Sequence, residues 1–196
     1  LFATVPGIPI PLVFVAGILL GTLLGAINGL LVTLAGVPAL VITLGTLYVY
    51  RGINNAWAGG REYFSGDRPE SFGNLSVDTV LGFPIITLIA LAVLVVLAIF
   101  LAATRSGRDF YAIGSDPLAA TLFGIPVRRR VMTAFLINGA LAGLGGVLYA
   151  SRFSSVGATT GTGLELDVVA AAVVGGVAIF GGSGTVVGAA IGALLL

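Results

Sequence analysis

Apolar positions in this chain gather into runs long enough to make membrane-spanning helices, and most of the polar positions fall between them. A bilayer core about 30 Å thick needs about 20 apolar residues at about 1.5 Å each. Residues 12–35 supply that length, and Gly36-Val37-Pro38 then stops the helix, because proline cannot continue it and glycine ends it cheaply. Residues 39–58 follow at once, so the two runs are expected to form an antiparallel hairpin. Arg51, in the outer third of the second run, either snorkels to the interface or faces a transport path.

Residues 59–83 carry Arg61, Glu62, Asp67, Arg68, Glu70 and Asp78 among Gly and Ser, and read as a polar loop. Residues 84–104 contain no Gly and no charge, with Ile, Leu, Val and Ala all round, the pattern of a peripheral helix facing lipid. A fourth span is expected over 131–150, with Asn138 near its middle, and a short polar loop then reaches Asp167. Residues 168–196 are uncharged, too long for one straight span, and interrupted by Gly181-Gly182-Ser183-Gly184. Either a short helix over 168–180, a turn and the start of another span at 184–196, or a re-entrant segment buried in protein, fits that run. The fold class expected is all-α: one polytopic helical membrane bundle. Because the chain starts at Leu1 and stops inside an apolar run, it reads as an internal piece of a longer protein.

Composition sharpens this picture. The chain is 58% hydrophobic and 9% charged, with a mean hydropathy of +1.14, whereas about a quarter of a soluble domain is charged. It holds no Cys, His or Lys, which excludes thiol nucleophiles, histidine bases, Schiff-base lysines, disulfides and Cys–His metal sites. A net charge of +1 gives nucleic-acid binding no electrostatic support. Thirty glycines suit a membrane bundle, where small residues let backbones approach. Gly17, Gly21, Gly25 and Gly29 repeat every fourth residue, as do Gly184, Gly188 and Gly192, and both sets read as helix-packing faces.

Charge sets the orientation. Residues 105–130 hold five arginines (Arg105, Arg108, Arg128, Arg129, Arg130) against two acids, while the flanking polar segments carry no such excess. Arginine bias therefore places this segment in the cytoplasm and the other two outside. Within it, Asp116 is suited to accept the free N–H groups of a helix start, Pro117 to the first helical position, and Gly124 to a left-handed stop before Pro126. Leu118 and Leu122 share a face, with Ala119 and Ala120 beside them. So short a helix needs a surface to lie on, either its own membrane domain or a soluble partner.

The runs GRDFYAIGSDPLAATLFGIPV, NGALAGLGGVLYASRF and GTGLELDVVAAAVVGGVAIFGGSGTVVGAAIGALLL, with INGLLVTLAGVPALVITLGTLYVYRG before them, resemble the ribose-type monosaccharide permeases of bacterial ATP-binding-cassette importers. That resemblance implies that residues 116–124 form a coupling helix seated in a cleft of a cytoplasmic ATPase subunit, with Gly107, Arg108, Tyr111 and Gly114 shaping the approach. It also implies a second permease copy or homologue, an extracytoplasmic sugar-binding protein, and residence in the bacterial inner membrane. ATP and magnesium are expected on the partner and no cofactor on this chain, which has no lysine for a Gly-x4-Gly-Lys phosphate loop. Permeases for branched-chain amino acids share the architecture, and the loop sequence is closer to the sugar branch.

Asn28, Thr43, Thr46, Asn54, Asn55 and Asn138 are the polar residues expected to be buried in the spans, serving either as interhelical hydrogen-bonding groups or as contacts for a sugar. No acid lies within the long spans, which argues against a proton-coupled carrier. A passive channel gives the capped cytoplasmic helix no purpose. An intramembrane enzyme would have to rely on Ser183, which has no evident base.

Overall fold

The computed structural model describes residues 7–59, 61–64, 66, 69–80, 82–153, 155–157 and 159–196. Asp67 and Arg68 of the expected polar loop lie outside the described residues. In chain order the elements are α1 (Ile10–Ala35), α2 (Ala39–Ala58), β1 (Tyr63–Phe64), α3 (Glu70–Asn74), β2 (Thr79–Val80), β3 (Phe83–Pro84), α4 (Ile85–Ala103), α5 (Arg105–Ser115), α6 (Pro117–Leu122), α7 (Val127–Arg152), β4 (Ser155–Val156), α8 (Leu164–Val174) and α9 (Val186–Leu195). Among the described residues three helices, α1, α4 and α7, are long and apolar enough to cross a membrane, in keeping with the all-α membrane class expected. The 20-residue α2 is not among them, since its second half carries Arg51, Asn54 and Asn55.

The chain divides into two compact units. The first takes the N-terminal part up to Ile86 together with Met132–Thr160. Here α1 ends on Gly36 in the left-handed region (φ +65°) and Pro38 opens α2, the break expected from Gly-Val-Pro. The Tyr50 hydroxyl ties the two helices together, shared between the Leu24 carbonyl (3.2 Å) and Asn28 Oδ1 (3.3 Å). The glycine face of α1 meets α7 running the opposite way: Gly17 lies against Gly143 and Val147, Gly21 against Gly139 and Gly143, Gly25 against Phe135 and Gly139, and Gly29 against Met132 and Phe135. A Cβ on Gly21 would collide with the Gly139 carbonyl oxygen and sit 2.8 Å from Gly143 Cα, so this contact exists only between bare backbones. Val13, Phe72 and Val147 form a small buried cluster at one end, flanked by Phe14, Leu75 and Ala150. The expected polar loop is partly ordered by two antiparallel ladders, Tyr63–Phe64 on Ser155–Val156 and Thr79–Val80 on Phe83–Pro84.

The second unit takes Thr87–Val131 and Gly161–Leu196. No residue of α4 is buried, as its unbroken apolar surface suggested. The segment expected as a loop with one short helix is almost wholly helical, because α5 precedes α6 and α7 begins at Val127. Thr104 makes α5 possible: its Oγ1 accepts from Gly107 N at 3.0 Å and donates to the Phe100 carbonyl at 2.7 Å. Gly107 then lets the new helix press on the backbone of Phe100 and Leu101, and the Phe100 and Phe110 rings meet at 6.2 Å. Arg105, Arg108, Ala112 and Ser115 face outward at helical spacing.

The uncharged C-terminal run folds as helix, turn, helix, with α8 starting at Leu164, earlier than expected. Glu165 and Asp167 fall in its first turn, where negative charge is favourable. Helices of 11 and 10 residues span only about 15–17 Å each, roughly half a bilayer core. They pack through Gly175 on Gly188 and Ala171 on Gly192. Gly184, expected on the same packing face, is instead in the turn (φ +134°), because Thr185 caps α9 by accepting from Gly188 N at 2.9 Å.

Candidate functional site

The short helix α6 and the residue after it carry three strongly exposed large apolar side chains. Asp116 Oδ1 accepts from Leu118 N (2.9 Å) and Ala119 N (3.1 Å), Pro117 takes the first turn, and the Thr121 hydroxyl donates to the Pro117 carbonyl at 2.9 Å. At the other end Gly124 turns left-handed (φ +76°), its N–H donating to the Thr121 carbonyl, and Ile125 N–H closes on the Ala120 carbonyl at 3.1 Å. Both ends are thereby satisfied by local hydrogen bonds, so a helix of six residues is held in place.

Its two faces differ sharply. Ala120 is 3% exposed, whereas Leu118, Leu122 and Phe123 are 80%, 88% and 87% exposed. These three large apolar side chains protrude together. Phe123 was read from the sequence only as a helix former; nothing in its spacing distinguishes it, and only the C-terminal turn swings it outward. Arg105, Arg108 and Arg128 are exposed on the neighbouring helices. Arg130, counted with them in the sequence, is engaged with Asp109 and Ser106. Gly107 is buried against α4, and Tyr111 and Gly114 face the turn before α9, the Tyr111 hydroxyl donating to the Gly184 carbonyl at 3.0 Å.

A second feature lies within the first unit. A cavity of about 730 Å³ opens between α1, α2 and α7, lined mostly by apolar groups. Of the polar residues expected along a solute path, Asn28, Thr43 and Asn138 line it, joined by Tyr50. Thr46 does not, its hydroxyl donating back to the Thr43 carbonyl at 3.1 Å. The expectation that these six are buried is corrected: Asn28, Thr43 and Thr46 are half-buried, Asn54 and Asn55 are exposed near the end of α2, and Asn138 is exposed into the cavity. Tyr63, Phe64, Phe72, Phe135 and Phe153 add aromatic walls that sequence spacing did not single out. The stack of Tyr149 on α7 with Phe153 just after it, centroids 4.1 Å apart, could have been anticipated from its four-residue spacing. Among the described residues, no charged residue lines this cavity.

Comparison with known proteins agrees with this architecture. The family model described as the permease component of branched-chain amino acid transport systems matches residues 1–196. The autoinducer 2 import system permease protein LsrC of Enterobacter sp. (strain 638) is 42% identical over 190 residues, 97% of this chain and 55% of that protein. The LsrC of Klebsiella pneumoniae is 42% identical over 177 residues, covering 90% of this chain and 51% of that protein. The LsrC of Escherichia coli (strain K12 / DH10B) is 40% identical over 190 residues, covering 97% and 55%. The chain thus spans about half the length of the curated relatives it matches. No solved structure matches it. Matched by the family model from end to end, the chain belongs to the family of branched-chain amino acid transport system permease components.

Proposed function

We propose that this chain is part of the permease of an ATP-driven importer that carries a monosaccharide or a similar neutral polar solute across the bacterial cytoplasmic membrane. The observation that carries the reading is α6, a capped helix whose Leu118, Leu122 and Phe123 protrude from a segment rich in arginine. Arginine bias puts that segment in the cytoplasm, where α6 docks into a separate ATPase subunit that binds ATP and magnesium. A second permease copy or homologue and an extracytoplasmic solute-binding protein complete the assembly. The chain itself contributes no catalytic residue.

The family description points to branched-chain amino acids, whereas the relatives' names point to autoinducer 2. The cavity favours a neutral solute. An amino-acid zwitterion brings two charges that need partners when they leave water, and the described residues of the lining offer no charged ones. Asn28, Thr43, Tyr50 and Asn138 supply donors and acceptors suited to hydroxyl groups, beside aromatic walls.

Purification of the tagged full-length permease from native membranes tests this reading. A nucleotide-binding subunit is expected with the wild type and not with the Leu118→Asp, Leu122→Asp double variant. Recovery with both sinks the role of α6, and recovery with neither sinks the importer reading.

A further inference from the structure

We propose that Tyr111 and Gly114 are positioning residues that clamp the C-terminal end of α5 to the turn of residues 176–185, so that displacement of α6 is passed to α8 and α9. This rests on the docking role of α6 proposed above and names the path by which it acts.

The contact is made by backbone. A Cβ on Gly114 would collide with the Gly182 amide nitrogen, and one on Gly182 would lie 2.9 Å from Ser115 Cα. The Tyr111 hydroxyl, one turn earlier, donates to the Gly184 carbonyl at 3.0 Å across 73 residues of sequence. The turn is itself closed: Ala178 N–H donates to the Ser183 carbonyl and Gly181 N–H to the Ala178 carbonyl, both at 3.0 Å. Gly181, Gly182 and Gly184 have φ of +90°, +82° and +134°, so side chains would strain the turn even where space allowed.

Each side of the clamp leads directly to a helix. Asp116 ends α5 by donating its N–H to the Ala112 carbonyl (3.1 Å), and the same residue caps α6 through its side chain. No free linker therefore separates the clamp from the docking helix. On the other side Thr185 caps α9, and Gly175 on Gly188 holds α8 to α9 just beyond the turn. A cavity of about 310 Å³ borders the contact, between Leu101, Phe110, Val186 and Ala189. The hydroxyl and the glycine contact thus tie the turn to α5 across a place where side-chain packing is incomplete. Elements joined by direct backbone contact in this way shift as units rather than deform.

The test uses the full-length permease assembled with its ATPase subunit, carrying a spin label at Leu194→Cys on α9. Vanadate with ATP serves as the probe, so no transported solute has to be known. In the otherwise unaltered assembly, trapping is expected to change the label's mobility. In Tyr111→Phe, the mobility change per trapped nucleotide is expected to fall by at least about fivefold relative to that assembly, the scale of one lost hydrogen bond. An undiminished mobility change per trapped nucleotide in Tyr111→Phe overturns the clamp. Failure to recover any ATPase with the unaltered permease overturns the docking reading, and the clamp with it.

Discussion

Arg130 closes on Asp109 from one turn inside α7: Nε and Nη2 donate to the same carboxylate oxygen, Oδ2, at 2.8 and 2.7 Å, while Nη1 reaches Ser106 Oγ at 2.6 Å. Both side chains are largely covered, 23% and 14% exposed, so water screens the pair less than it would a surface bridge. Of the arginines in this segment, Arg130 therefore binds α7 to α5 and is not presented to a partner.

A double-mutant cycle follows from that pairing. Arg130→Ala and Asp109→Ala are each expected to destabilise the protein by about 1–3 kcal/mol. The double variant should fall short of their sum by about 0.5–3 kcal/mol, measured by unfolding in detergent micelles. Strict additivity would show that the pair does not hold the two helices.

Glycines on different faces should behave oppositely. Gly21→Ala pushes α1 away from Gly139 and Gly143 and is expected to lower the melting temperature. Gly45→Ala on α2 meets no atom within 4 Å, and alanine favours a helix over glycine by about 1 kcal/mol. It should be neutral or stabilising. Thermal melts of the two variants side by side decide this, and equal effects would count against the α1–α7 contact.

Asp116→Ala removes the acceptor shared by Leu118 N and Ala119 N. A loss of about 1 kcal/mol of local helix stability is expected, read as reduced recovery of the nucleotide-binding subunit. Asp116→Ser, which keeps a capping oxygen, should retain most of it. If Ala and Ser behave alike, the cap is irrelevant to docking.

Gly124→Val places a β-branched residue at φ +76°, a conformation such residues adopt only under strain. Nothing lies within 4 Å of the site, so the cost falls on the turn that orients Phe123. ATP-driven uptake should be lost while membrane insertion is kept. Normal uptake would contradict the proposed role of α6.

Val95→Asp sets a charge in the middle of α4, all of whose side chains face outward or lie half covered. On the insertion scale this costs roughly 2.5–3.5 kcal/mol, and a glycosylation-mapping assay should report impaired insertion. Undiminished insertion would mean that α4 does not lie in lipid.

Much of the secondary structure was legible in the chain because its signals are local. Gly36 and Pro38 separate α1 from α2, and Asp116, Pro117 and Gly124 bound α6, all through steric and hydrogen-bonding preferences of adjacent residues. The α5 helix was not legible. Arg-Ser-Gly-Arg-Asp has weak helix propensity, and the helix depends on Thr104 as its cap and on Gly107 against α4. Gly184 was misplaced for a related reason: its four-residue spacing from Gly188 fits a helix face, but the cap at Thr185 starts α9 after it.

Sequence alone therefore settled the membrane class, the exclusion of Cys, His and Lys chemistry, and the short helix α6 with its caps, since each depends on composition or on neighbours within a few residues. Tertiary structure decided which glycines meet which backbones, that Arg130 is held by Asp109, that Phe123 points outward, and that Asn28, Thr43 and Asn138 share a cavity while Asn54 and Asn55 do not. These relations join residues distant along the chain, and they follow from how helices approach and rotate against one another, which no local spacing specifies.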